Sequence, residues 1–499
     1  MNAIPFPIPD ASIVARRDAI IAGLARLVPF ENLVTTLDER RAFETDALTA
    51  YRRVPLAVVL PRNTAEVSEI LKFCHANGVK VVARGAGTSL AGGAIPLEDS
   101  IVIGVAKMNA ILDVNFPDRT MKVQAGITNL AISSHISDRG FFYAPDPSSQ
   151  LACMIGGNIG MNSGGAHCLK YGFTVNHVMG AEVVLSDGSV VHLGGSAPEH
   201  PGYDLLGAFV GSEGTLGVAT ELTLRLVRVP EAVQTMLVGF HTVADAGGAV
   251  SDIIAAGVLP AAIEMMDALA IEAAEAAVKC GYPNGAVAVL VIELDGPEVE
   301  VEAQFAQVEQ LCLARNAFET RIAQDAAERA LMWKGRKSAF AAVGRISPAY
   351  FVQDGVIPRT QLPQVLDEIA RMADEVGLRV ANVFHAGDGN LHPLVLFDDA
   401  VPGQAEDAEE LAGAILDLCI SSGGSITGEH GVGHEKKHKM AKQFTPADLD
   451  TMQLLRCAFD PDNLANPGKV FPTPRLCGER PGPRTGMHPV QAAGLGEVF

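Results

Sequence analysis

The chain has 499 residues, a formal charge of −20 and 48% hydrophobic residues. This length predicts two or more domains, and the negative charge disfavours nucleic acid and anionic lipid as partners. No uncharged apolar run reaches the roughly 18 residues of a membrane span. The first residues lack the pattern of a signal peptide, so we expect a cytoplasmic enzyme.

Residues 1–50 are predicted to form an N-terminal helical segment. From 51 to 228, short β-rich runs alternate with glycines and two helical patterns, which predicts an α+β nucleotide-binding domain. Thr64 is expected to cap the first of these helices. The strands are predicted at 55–60, 79–83, 100–104, 121–125, 180–185 and 221–227, and the helices at 64–76 and 128–137.

Residues 229–444 alternate strands and amphipathic helices, which predicts a second α+β domain that caps the first. A closing segment, 445–471, is expected to return to the first domain. Residues 472–499 are rich in proline and glycine and predict a weakly ordered tail. In the second domain the strands are expected at 286–293 and 379–384, and the helices at 298–315 and 361–375.

Three segments of the first domain, 81–93, 155–165 and 211–218, are rich in glycine. Glycine lets the backbone approach a ligand closely, and its N–H groups can bind phosphate without a cationic side chain. The first segment is not the dinucleotide fingerprint, because Leu90 stands where the third glycine is due. One such segment alone is equally well a tight turn. Three together predict a large ligand with a pyrophosphate and a polar ring.

In the second domain, Asp388-Gly389 lies between two apolar runs and predicts a two-residue hairpin turn. That turn would pair His385 directly with His392, so that both imidazoles could bind one metal ion. The alternative is two structural histidines beside a turn.

A Glu-His pair flanked by glycines, Glu429-His430, follows later in the chain. Its carboxylate would complete a set of two histidines and one carboxylate with open positions for substrate. Its histidine suits a general base, because imidazole titrates near neutral pH. Each residue, taken separately, could also be a solvated loop residue.

The runs RGAGTSLAGG, PDPSS, IGGN, NSGG and GSEGTLG resemble, in order, the PCMH-type FAD-binding domain of the vanillyl-alcohol oxidase superfamily. Many members bind flavin covalently through a histidine at the position of Thr88, so non-covalent FAD is implied. The run NPGK near the C-terminus resembles the family's closing motif near the flavin. The FAD contacts that the resemblance implies are Arg84, Gly85, Ala86, Gly87, Thr88, Ser89, Pro145, Asp146, Gly157, Asn158, Asn162, Ser163, Gly165, Glu213, Gly217, Val218 and Asn466.

The runs HAGDGNLH and GEHG resemble the C-terminal domain of FAD-linked 2-hydroxy-acid dehydrogenases. That group includes D-lactate and D-2-hydroxyglutarate dehydrogenases and the FAD-linked subunit of bacterial glycolate oxidase. By this resemblance His385, His392 and Glu429 bind a divalent metal, with zinc, manganese or iron as candidates. His430 is then the base, and Asn390 contacts substrate. The run WKGR resembles the motif whose arginine, here Arg336, binds the substrate carboxylate. The alternative for Arg336 is a solvated helix residue.

The expected reaction is oxidation of a short 2-hydroxy acid, glycolate or D-lactate, with hydride transfer to flavin N5. Members that act on longer diacids carry lysine where this chain has Val352, which disfavours a diacid. Residues 350–358 and the hairpin resemble most the glycolate oxidase subunits. The resemblance implies a second FAD-binding subunit and an iron–sulfur subunit as partners, with membrane association through them. This chain has no Cys-x-x-Cys pair for an iron–sulfur cluster of its own, so its electrons must pass to another molecule.

Four alternatives stay open on the sequence. The chain could be a D-lactate or D-2-hydroxyglutarate dehydrogenase that acts alone. It could be an ether-lipid synthase on the same fold, although the predicted metal hairpin argues against that. It could also be a non-flavin metallohydrolase or a non-catalytic FAD-binding subunit.

Overall fold

The computed structural model describes residues 6–197 and 202–472. The predicted tail lies outside this part of the chain, apart from Pro472. Mixed helices and sheets confirm the predicted α+β class. No helix within the two described ranges is long and apolar enough to cross a membrane.

The first sheet has four strands and carries the first glycine-rich segment at its edge. The N-terminal segment contributes an edge strand as well as helices, since Leu33–Val34 pairs antiparallel with Ala57–Val59. The other neighbours are parallel, which directs several strand ends to one edge. The strands in spatial order are Leu33–Val34, Ala57–Val59, Ser100–Gly104 and Lys80–Arg84, and the helices before and between them are Ala11–Ala15, Arg17–Leu24, Leu37–Arg41 and Thr64–Asn77.

The cap of the helix Thr64–Asn77 differs from the prediction. Asn63, not Thr64, is the N-cap: its backbone is extended and its side chain accepts the N–H of Glu66. The hydroxyl of Thr64 donates instead to Glu182 on a neighbouring strand. This tertiary hydrogen bond leaves the preceding asparagine to satisfy the free N–H group of the first turn.

The second sheet has five antiparallel strands, and the other two glycine-rich segments flank it. Its buried face packs Val123, Leu222 and Leu224 against Ile132 and Ile159 of the adjoining helices. The strands in spatial order are Ile111–Asn115, Thr120–Gln124, Val218–Arg225, Val178–Val184 and Val190–Gly194; a small pair is formed by Phe141–Phe142 and Val227–Arg228; and the helices are Asn129–Ile136, Ile155–Met161, Cys168–Tyr171 and Leu205–Phe209.

A nine-stranded antiparallel sheet, covered by long helices, makes up most of the second half. Its central strands are mostly apolar and mostly buried, and this burial is the main source of their stability. The strands are Glu319–Ile322, Ala232–Phe240, Ala288–Gly296, Ala262–Asp267, Arg379–His385, Asn390–Leu391 and Gly355–Val356, joined by Ala349–Val352 and Pro393–Phe397; the helices are Val243–Ala255, Ala268–Val278, Glu298–Ala314, Ala326–Val343, Leu362–Val376 and Gln404–Ser421.

The end of the described chain contacts the first sheet. After the helices Met440–Gln443 and Pro446–Phe459, Ala465 forms a parallel bridge with Val81. The side-chain amide of Asn466 donates to the carbonyl oxygens of Gly93 and Glu213, at 2.8 and 2.6 Å. The closing segment therefore joins two of the glycine-rich segments.

Candidate active site

A cavity of about 480 Å³ lies between the glycine-rich segments and the large sheet. The second half of the chain contributes Lys337, Phe340, Tyr350 and Val352, together with His392, Glu429 and His430. The predicted cofactor residues on its wall are Arg84, Gly85, Ala86, Gly87, Thr88, Ser89, Gly157, Asn158, Ser163, Glu213, Gly217 and Val218.

The wall of this cavity fits a large polar ligand such as FAD. A Cβ atom on Gly157 or Gly160 would meet nothing within 4 Å, so both glycines border open space. The hydroxyls of Ser89 and Ser212 are buried and have no hydrogen-bond partner among the described residues. Buried polar groups are normally hydrogen-bonded, so these hydroxyls indicate a ligand that completes them. Arg84 adds positive charge suited to phosphate.

Five predicted cofactor residues, Pro145, Asp146, Asn162, Gly165 and Asn466, do not line the cavity. They shape the segments that do. The side chain of Asn162, which has φ +53°, accepts the N–H of Val175. A Cβ on Gly165 would lie 2.5 Å from the backbone oxygen of Asp146. The sequence motifs did not separate residues that line a ligand from residues that hold the lining in place.

The predicted two-residue hairpin turn is wrong. His385 pairs with Asn390, not with His392, and four residues form the turn. A two-residue type I′ turn needs positive φ at both positions, yet of Asp388 and Gly389 only the glycine has it. The N–H of Gly387 donates instead to Ile263 on the neighbouring strand. This tertiary hydrogen bond opens the turn.

The two histidines nevertheless lie together, with ring centroids 5.1 Å apart. Nε2 of His385 lies 3.3 Å from Oε1 of Glu429, and Nε2 of His392 lies 3.4 Å from the same oxygen. Ligands about 2.0–2.1 Å from a tetrahedral metal ion are roughly 3.3–3.4 Å from one another. The three predicted ligands therefore fit a divalent metal ion.

Asp354, His392 and His430 form a second group of possible ligands. Asp354 is fully buried and accepts the N–H groups of Gly428, Glu429 and His430 at 3.1, 3.2 and 2.8 Å. These three hydrogen bonds end at Oδ2, and Oδ1 lies 3.5 Å from Nε2 of His392. Because Asp354 already holds the backbone of this segment, we favour the group that contains Glu429.

Glu264 supports the first histidine and was missed by the sequence analysis. Its Oε1 lies 2.7 Å from Nδ1 of His385, the residue opposite it on the next strand. Metal-binding histidines usually donate their second ring N–H to such a carboxylate. The available signal was a glutamate within the apolar first five residues of the strand Ala262–Asp267.

Arg336 is not solvated; it is 3% exposed, and its Nε lies 2.6 Å from Oε2 of Glu264. It does not line the cavity, whereas the next residue, Lys337, does. In the described part of the chain the Lys337 ammonium makes no ion pair and lies 5.9 Å from the ring centroid of Trp333. Asn390 is buried against Gly428 and does not line the cavity. Its Oδ1 has no hydrogen-bond partner among the described residues.

The base predicted at His430 lines the cavity beside His392, with parallel rings 4.8 Å apart. Burial lowers the pKa of His430 to about 4, although Asp354 and Glu429 act in the opposite direction. Burial raises the pKa of Glu429, but His385, His392 and His430 outweigh it and lower that pKa to about 2. At neutral pH the imidazole of His430 can accept a proton beside an ionised carboxylate.

His167 connects the flavin-side segments to the large sheet. Its Nδ1 lies 2.8 Å from Oδ2 of Asp146, and its Nε2 lies 3.1 Å from Oε1 of Glu293. Glu293 also accepts hydrogen bonds from Thr235 and Trp333. Asp146, which the sequence predicts as a flavin contact, therefore helps to hold the two halves of the chain together through His167.

Comparisons with known proteins agree with this arrangement. Residues 55–194 match the family described as FAD binding domain, and residues 229–470 match FAD linked oxidases, C-terminal domain. The chain is 50% identical over 463 residues to glycolate oxidase subunit GlcD of Escherichia coli strain K12, which covers 93% of each chain. It is 39% identical to glycolate oxidase subunit GlcD of Bacillus subtilis, with 88% of this chain and 94% of that one covered.

Solved structures show the same fold at low sequence identity. A 4-ethylphenol oxidase from Gulosibacter chungangensis has a TM-score of 0.76 at 16% identity and covers 94% of this chain and 99% of its own. The two-domain flavoprotein architecture that the sequence predicted is confirmed. The chain belongs to the FAD-linked oxidases and is an FAD-linked oxidoreductase.

Proposed function

We propose that this protein oxidises a short 2-hydroxy acid, glycolate or D-lactate, to the 2-oxo acid. One observation carries the proposal: His392, Glu429 and His430 line the same cavity as the flavin-side glycine segments. A substrate there would meet both the cofactor and the base. The relatives named glycolate oxidase subunit GlcD support this substrate class, and a D-lactate dehydrogenase of Archaeoglobus fulgidus, 33% identical over 87% of this chain and 95% of its own, supports the alternative.

His430 takes the proton of the substrate hydroxyl in this proposal. Its ring is neutral at pH 7, and its Nδ1 makes no hydrogen bond within the described residues. General-base catalysis by such a residue is typically worth about 10²–10⁴-fold. FAD bound in the cavity would supply the acceptor for the hydride, which carries both electrons, and a divalent metal held by His385, His392 and Glu429 would supply positive charge to the substrate hydroxyl.

The substrate carboxylate has two candidate partners. Arg336 is the partner that the family motif implies, but its Nε is paired with Glu264. Lys337 lines the cavity and has no carboxylate partner of its own in the described ranges. Val352 lines the same wall and offers no charge to a second carboxylate, which supports a short substrate. Asn390 remains a proposed substrate contact.

We further propose non-covalent FAD, since Thr88 on the cavity wall lacks the imidazole that links flavin in many relatives. The division into domains at 51–228 and 229–444 is likewise a proposal. Relatives named as subunits support partner chains; a second FAD-binding subunit, an iron–sulfur subunit and a cytoplasmic location with membrane attachment through them stay predictions.

The proposed reaction is tested by dye-linked turnover of the purified holoprotein with glycolate, D-lactate, L-lactate and D-2-hydroxyglutarate. We expect glycolate or D-lactate to give the highest kcat/KM, and metal analysis to find a divalent ion that His385→Ala removes. Preference for D-2-hydroxyglutarate, or no turnover of any acid by a yellow protein, would contradict the proposal.

Recovery of the tagged protein from its native host tests the partners. We expect two further chains, one carrying flavin and one carrying iron and sulfide. A single chain that still passes electrons from glycolate to quinone would refute the complex.

A further inference from the structure

Glu213 lies on the cavity wall, and both oxygens of its carboxylate accept backbone hydrogen bonds. Oε1 accepts the N–H of Val432 at 2.6 Å, and Oε2 accepts the N–H of Gly433 at 2.7 Å. Both acceptors therefore bind the segment that follows Glu429 and His430. Glu213 is only 6% exposed, so water does not compete with these hydrogen bonds.

The backbone of Glu213 is held as firmly as its side chain. Its N–H donates to Gly160 at 2.7 Å, and its carbonyl accepts from Asn466 at 2.6 Å. Its φ is +54°, a conformation that costs free energy for a residue with a Cβ and persists only where the surroundings impose it. Burial, opposed by the two backbone N–H groups, raises the pKa of Glu213 to about 7.

Two buried carboxylates from opposite sides of the cavity hold the segment 428–433. Asp354, from the large sheet, accepts the first three N–H groups, and the hydroxyl of Thr427 accepts that of Gly431. Glu213, from the flavin side, accepts the last two. This segment contains no helix or strand, so its shape depends on these acceptors.

Small residues let the two sides approach. A Cβ on Gly431 would lie 2.8 Å from Oε1 of Glu213, and a Cβ on Gly164, in a flavin-side segment, would lie 2.7 Å from Oε2 of Glu429. The proposed metal ligand Glu429 therefore lies directly against the flavin half of the molecule. Movement of the flavin-side segments would therefore displace Glu429 and change the proposed metal site.

We infer that Glu213 is a positioning residue that couples FAD binding to divalent-metal binding, and this inference rests on the proposed function. FAD in the cavity stabilises the segment 211–218 in the form described. Glu213 then holds Glu429 and His430 where metal and substrate need them. Coupling between two sites is reciprocal: if FAD raises the affinity for metal, metal raises the affinity for FAD by the same factor.

The test measures FAD affinity of the flavin-depleted full chain by fluorescence quenching, with and without saturating Zn²⁺. We expect Zn²⁺ to lower the Kd for FAD of the wild-type protein by roughly 5- to 150-fold, the usual range for coupled sites. Glu213→Gln keeps the size but replaces one of the two acceptor oxygens with an N–H donor. We expect the ratio of the Kd values for FAD without and with Zn²⁺ to fall to about one while both ligands still bind. Glu213→Asp, which restores a carboxylate, should recover part of the ratio.

Glu221→Gln is the matched control. Glu221 lies on the strand Val218–Arg225, which follows the segment of Glu213, and its carboxylate forms an ion pair with Lys122 instead of contacting the segment 428–433. It should keep the wild-type ratio. A wild-type ratio of one, or a Glu213→Gln variant that keeps the wild-type ratio, would overturn the inference. Failure of Zn²⁺ to bind the wild-type holoprotein would overturn the proposed metal site and the coupling together, whereas binding without coupling would overturn the coupling alone.

Discussion

Glu264 and His385 face each other across two adjacent antiparallel strands, with Oε1 of the glutamate 2.7 Å from Nδ1 of the imidazole. This contact leaves Nε2 of His385 directed at Glu429. The register of the large sheet therefore selects which nitrogen of His385 is available to a metal ion.

We expect Glu264→Gln to weaken divalent-metal binding by about 10–100-fold, as loss of such a supporting carboxylate typically does. FAD should bind normally once Zn²⁺ is saturating, because Glu264 does not line the cavity. The measurement is metal content after dialysis against a chelator, followed by FAD affinity with saturating Zn²⁺. Weak FAD binding that Zn²⁺ does not restore would show that Glu264 supports the whole fold rather than the metal site.

His430→Ala should lower the rate of flavin reduction by about 10²–10⁴-fold while metal content stays unchanged. The reason is that His430 is the proposed base and not one of the three proposed ligands. Stopped-flow absorbance of the flavin with glycolate or D-lactate gives the rate. His392→Ala is the comparison and should remove the metal. A metal-free His430→Ala protein would assign His430 to the ligand set.

Substitution of Arg336 should lower the stability of the protein, whereas substitution of its neighbour Lys337 should weaken substrate binding. Arg336→Met leaves the buried Glu264 without its charge partner, and breaking such a pair costs about 3–5 kcal/mol of unfolding free energy. Lys337→Met, at an exposed position, should change stability by no more than about 0.5 kcal/mol but raise the KM. Denaturant unfolding and steady-state kinetics measure both. An unchanged KM in Lys337→Met would favour Arg336 as the partner of the substrate carboxylate.

His167 should make stability depend on pH. Burial opposes its protonation, but the carboxylates of Asp146 and Glu293 outweigh it and hold the pKa well above 6.5. The resulting stabilisation is fully present below pH 6.5 and is lost as pH rises through the folded-state pKa; each unit of elevation contributes about 1.4 kcal/mol. Thermal unfolding of wild type and His167→Gln across this range measures it. Parallel curves for the two proteins would exclude His167 as the cause.

Acid precipitation should release all FAD into the supernatant, because Thr88 offers no imidazole to form a covalent link. Absorbance at the flavin maximum in pellet and supernatant gives the result. Yellow colour that stays with the pellet would contradict non-covalent binding.

The sequence by itself determined the α+β class, the glycine-rich segments of the flavin cavity and the residue types of the proposed metal site. Those features depend on local chemistry: glycine spacing, hydrophobic periodicity and short motifs are readable one segment at a time. The same locality explains why the motifs did not separate Pro145, Asp146, Asn162, Gly165 and Asn466, which lie off the cavity wall, from the residues on it, since a motif does not tell lining from support.

Only the tertiary structure decided the register of the hairpin and the partners of the buried charges. The turn after His385 opens because Gly387 bonds to Ile263, which is far away in sequence. Arg336 is buried because Glu264 lies beside it, and Glu213 binds Val432 across more than two hundred residues. A buried charge needs a partner, and which partner it finds depends on how distant segments meet, which no local pattern records.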